Sequence, residues 1–134
     1  MAHLLAWTTR LSEADRTWFR DHGRELVRLL IAHLDAAGDD ARRAALDAAT
    51  TEAADHGRMT ARLGLSLGEA VETFLQFRRP FLEELRAVGR RRALEAAEVS
   101  QLLDAAERAM DRLLVAMMNA HSVARVRPRD DEPG

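Results

Sequence analysis

Between Ser66 and Val88 one arginine stands on an otherwise apolar stripe. Leu67, Val71, Phe74, Arg78, Phe81, Leu85 and Val88 recur at alternating steps of four and three, which places them on one helical face. A guanidinium is permanently charged, so on a core-facing stripe it needs an acid, a carbonyl or a bound anion. Three uses are open to Arg78. It can form an internal ion pair with Asp104, Glu107 or Asp111 of a neighbouring helix. With Arg79 beside it, it can recognise an anionic or carbonyl-bearing ligand. On a slightly rotated helix it would snorkel to water. Phe74, Phe77 and Phe81 would wall a pocket at this level, and Pro80 would open space by kinking the helix. Together with His56, these residues are the candidate ligand-binding set.

Histidine is the other chemistry-bearing type. His22, His33, His56 and His121 fall on or beside apolar stripes, where satisfied core-boundary residues are the ordinary outcome. His22 and His33 are eleven residues apart, about 16 Å along a helix, too far to share an ion. No His-x-x-x-His or Glu-x-x-His spacing is present, so a haem or metal site would have to join histidines of different helices, His56 and His121 being the candidates. It stands as the alternative function; the leading reading needs no metal and no cofactor. No glycine-rich phosphate loop or Gly-x-Ser-x-Gly elbow occurs. Gly64-Leu65-Ser66-Leu67-Gly68 lacks the lysine and the preceding strand of a phosphate loop and reads as a helix hairpin. A non-enzyme is expected.

Composition narrows the classes further. The 134 residues suit one domain, 47% hydrophobic and 31% charged, as in a globular rather than a disordered protein. All 20 basic residues are arginine, and there is no cysteine. Schiff-base chemistry, disulfides and thiolate metal sites are thereby removed. A net charge of -2 with interspersed signs argues against a nucleic-acid binder. The N-terminus lacks the basic leader of a signal peptide, and Arg28 and His33 interrupt the longest apolar stretch. A cytoplasmic protein without membrane association is expected.

Helices must position these groups. Ser12 with Asp15 forms a capping box for the first helix, which should stop at Ala37-Gly38 with Gly38 left-handed. Asp39 and Asp40 should cap a second, alanine-rich helix over about 41–63. Gly64 ends it, and Ser66 with Glu69 starts the third, kinked at Pro80 and stopped by Gly89. The last helix, about 93–123, is the longest. Connections this short favour an all-α, antiparallel four-helix bundle with a long C-terminal helix; a globin-like helical fold without haem is the alternative. Residues 1–126 form the expected domain, with Leu4, Leu5 and Trp7 closing one end of the core, and 127–134 a disordered polar tail. Met110, Leu114, Met117 and Met118 on the long last helix are the candidate dimer seam.

The stretch His56-Gly57-Arg58-Met59-Thr60-Ala61-Arg62-Leu63-Gly64-Leu65-Ser66-Leu67-Gly68-Glu69-Ala70, continuing through Phe74-Leu75-Gln76-Phe77-Arg78-Arg79, resembles the N-terminal sensory domain of RsbR-type stressosome co-antagonist regulators. That family shows a Gly-x-Ser-x-x-Glu-Ala-like turn followed by a Phe-x-x-Phe-Arg-like helix. The resemblance implies a non-catalytic helical domain of bacterial signal transduction that dimerises and modulates a regulatory protein partner. A small anionic ligand gating it at Arg78 is a further expectation. No anti-sigma-antagonist, helix-turn-helix or kinase region follows the last helix in this sequence, so the expectation is either a stand-alone module, which the polar tail favours, or a piece of a longer regulator.

Overall fold

The computed structural model describes residues 11–126, which contain helices and turns and no strand. The expected end-closing segment at Leu4, Leu5 and Trp7 and the tail over 127–134 lie outside the described residues. The helices are α1 (Glu13–Asp35), α2 (Asp39–Arg62), α3 (Leu67–Leu75), α4 (Arg78–Arg91) and α5 (Ala96–Val126). α3 and α4 are the two halves of the expected kinked third helix, so the fold is an all-α bundle of four rods with the last one long.

Local chemistry sets most of the boundaries. Ser12 Oγ accepts from the Asp15 amide while the Asp15 carboxylate accepts from the Ser12 amide, and Ser66 and Glu69 repeat this reciprocal cap on α3. α2 starts earlier than expected, at Asp39, behind an extended Gly38 (φ -147°) rather than a left-handed one. Asp39 and Asp40 lie inside its first turn, where their charge meets the positive helix end. At its C-terminus the Gly64 amide reaches the Ala61 carbonyl and the Leu65 amide the Thr60 carbonyl, a closure made possible by the left-handed Gly64 (φ 77°).

The kink resolves the proline by interrupting the helix. Pro80 cannot donate to the Gln76 carbonyl, and the Phe77 amide bonds instead to Phe74, three residues back. Helix restarts at Arg78, so Pro80 falls in the first turn of α4, where a missing donor is harmless. Gly89 does not stop α4. The helix continues to Arg91, and the same type of C-terminal closure follows, with the Leu94 amide on Gly89 and the Ala93 amide on Arg90.

α2 and α5 share the most extensive helix–helix interface. Gly57 explains the close approach, since a Cβ there would collide with the Met117 carbonyl. The core runs through Leu26, Leu30, Ala49, Ala53, Phe74, Phe81, Leu113 and Met117. Two seam candidates, Met110 and Met117, therefore point into the chain's own core and cannot form a surface seam. They share the Met110–Leu113–Met117–His121 stripe that α5 turns toward α2. Leu114 and Met118 sit at the core's edge, half-buried.

Candidate functional site

The interior between α1, α2 and α3 holds an aromatic–histidine cluster. His56 of α2 has no exposed surface, and the rings of Phe19, Phe74 and Phe77 approach it edge-on at 5.3, 5.5 and 5.4 Å between centres. The histidine packed against it is His22 of α1, at 5.3 Å. Trp18 stacks on the other ring at 4.6 Å, one helical turn before it.

Hydrogen bonds fix both tautomers. Thr73 donates its hydroxyl proton to the Ala70 carbonyl at 2.7 Å, so its oxygen can only accept from His56 Nε2–H, also at 2.7 Å. His22 Nδ1–H donates to the Glu52 carboxylate at 2.8 Å. His56 Nδ1 and His22 Nε2 are left as bare acceptors, buried and without a hydrogen-bond partner among the described residues. Burial, reinforced by neighbouring His22 and opposed by the Ala70 backbone, pushes the His56 pKa down to about 3. Burial also lowers that of His22, against the pull of Glu52 and Asp55. His56 is neutral at pH 7, and burial favours the neutral form of His22.

Phe77 stands in the break between α3 and α4 and belongs to two environments. Its inner side meets His22, His56 and Phe74. It rests on Gly23, where any Cβ would strike the ring. It also lines a surface groove of about 530 Å³ whose other walls are α1 and the first turns of α4.

The sequence-derived candidates are thus divided. His56, Phe74 and Phe77 come together in the cluster. Phe81 is fully buried in the main core. Arg78 is not core-facing: its side chain is 53% exposed and lies 4.0 Å from Glu107 of α5. The stripe carried one helical register through the expected kink, whereas the helix is interrupted at Gln76–Phe77 and Arg78 lies at the surface. His121 donates from Nε2 to the Leu65 carbonyl at 2.8 Å and is occupied as a structural tie between α5 and the α2–α3 turn. Among the described residues, no group of three or more histidine, cysteine or acidic side chains is arranged to hold a metal. Sequence reasoning missed the pairing of His22 with His56. Its signals were a histidine on each of two apolar stripes, with Gly23 leaving room beside the first.

No described helix is long and apolar enough to cross a membrane. A search of curated proteins and of solved structures found no match. The model of the RsbT co-antagonist protein rsbRD N-terminal domain matches residues 1–132. With almost its whole length matched, the chain belongs to this family of stressosome-type signalling regulatory domains.

Proposed function

We propose that this domain is a non-catalytic sensory module of the cytoplasm that works as a homodimer, is gated by a small ligand at Phe77, and passes its state to a regulatory protein partner. The observation that carries the reading is the placement of α3. This nine-residue helix is tied to α2 through the Thr73–His56 hydrogen bond and ends at the break containing Phe77. On its outer flank it exposes Leu67 and Leu75, the latter 42% accessible.

Further exposed or half-buried apolar side chains lie on α5, the helix that α3 packs against. Leu67 shares a shallow depression with Ser122 and Val126, while Arg78 meets Glu107, so α3 and α5 run in opposite directions. Val115, 55% exposed, and the half-buried Leu114 and Met118 lie at the intervening levels of α5. An apolar strip of this kind on a small domain marks a protein contact. A shift of Phe77 would move α3, and α3 supplies one side of the strip.

Light scattering during size-exclusion chromatography tests the dimer. The wild type should elute at twice the chain mass. Leu75→Arg and Met118→Glu should each give a monomer with unchanged helical circular dichroism. A wild type that stays monomeric at high micromolar concentration overturns the dimer reading.

A further inference from the structure

The groove outside Phe77 has a definite chemistry. Its volume of about 530 Å³ lies within the usual range for small-molecule sites, roughly 300–1,000 Å³. Val27 and Ile31 of α1, with Phe77 and Pro80, give it an apolar floor. Along the α1 edge, Arg20, Arg24 and Arg28 follow at intervals of four, each about 6 Å further along the helix.

The charges on this edge are unequally engaged. Arg28 is held by Glu25 through two hydrogen bonds, of 2.9 and 2.6 Å. Arg20 and Arg24 carry no ion pair among the described residues. The acid on the opposite edge, Glu84, is faced by Arg91 at 3.6 Å, which offsets its charge. The result is an apolar trough with two available guanidinium forks. Such forks take a carboxylate through paired hydrogen bonds.

We propose that this groove binds a small amphipathic carboxylate, its apolar body along Val27, Ile31 and Pro80 and its head on Arg20 and Arg24. Occupancy displaces the Phe77 ring from its seat on Gly23. The inference rests on the reading of Phe77 as the gate and supplies the ligand class for it. A bare inorganic anion would leave the apolar floor uncovered. A cationic amphiphile would meet the wrong charge.

Decanoate, below its micellar concentration, is the probe. Trp18 reports on the far side of the gate through its stack on His22, with Trp7→Phe removing the other indole. Saturable binding of one decanoate per chain is expected, with a change in Trp18 emission. Decyltrimethylammonium, acetate and inorganic phosphate should each bind at least tenfold more weakly. Arg20→Glu with Arg24→Glu, both exposed positions, should weaken decanoate at least tenfold while the circular dichroism is kept.

Equal binding by the double variant, equal binding of the cation, or no binding of decanoate overturns the site. Decanoate binding that leaves Trp18 emission unchanged overturns the displacement of Phe77. The dimer is judged separately: bound decanoate with an unaltered monomer–dimer balance would support the site and refute ligand gating of association.

Discussion

His56 is a fully enclosed imidazole whose remaining nitrogen has no hydrogen-bond partner among the described residues, so a proton placed there would be buried without an acceptor and protonation inside the fold is strongly disfavoured. Its folded pKa of about 3 lies below the unfolded value of 6.5. The unfolded chain therefore binds more protons in between. The stability associated with the neutral ring is complete above pH 6.5 and is lost as pH falls toward 3, at a slope near 1.4 kcal/mol per pH unit. His22 shifts the same way, moderated by Glu52 and Asp55. Urea unfolding midpoints should consequently fall between pH 7 and pH 4.5. His56→Gln should be less stable at pH 7 and show a flatter decline; an unchanged slope would place the acid sensitivity elsewhere. At this scale the sequence was half legible. Phe74 and Phe77 could be grouped by helical spacing, but their contact with His56 and His22 depends on how α1, α2 and α3 pack, which no local pattern encodes. Arg78 was misplaced for the converse reason: a regular stripe conceals a break that lets its two halves turn independently.

Among the elements, the caps were the most readable features, because each is a reciprocal hydrogen-bond pair spelled within four residues. Ser12–Asp15 and Ser66–Glu69 are both formed. The end of α4 was harder to read. Gly89 offered the usual stop, yet it lies buried facing Val99, and the left-handed position falls on Ala93 instead (φ 53°). A Cβ is strained there, so Ala93→Gly should stabilise the protein by about 0.5–1 kcal/mol, read as a higher thermal midpoint. Gly57 predicts the opposite sign. A Cβ would press on the Met117 carbonyl, a backbone atom that cannot swing aside, so Gly57→Ala should cost at least about 2 kcal/mol despite alanine's better helix propensity. A stabilised Gly57→Ala protein would mean that α2 and α5 do not approach as closely as described. Glycine inside a helix is ordinarily a weak point, whereas the tertiary use of Gly57 is to admit another helix.

For the whole molecule, the distribution of packing implies a distribution of motion. α2 and α5 are long and make the broadest contact, with Ala49, Ala53, Ala106, Leu113 and Met117 sealed between helices. α3 and α4 are shorter, divided by the Gln76–Phe77 break, and present exposed faces on both sides of it. Local opening needs least free energy where few apolar groups are uncovered, so the break should open without unfolding the α2–α5 pair. Native-state hydrogen exchange would measure this directly. Amides over Ala49–Gly57 and Ala106–Met117 should exchange only through global unfolding and carry the largest protection. Those from Phe77 to Leu82 should exchange through smaller openings whose rates do not follow denaturant as steeply. The gate requires that difference, because a ring that moves only when the bundle unfolds cannot report a ligand. Equal protection on both sides of the break would make α3 and α4 one rigid rod and remove the route by which a displaced Phe77 reaches the surface of α3 and α5.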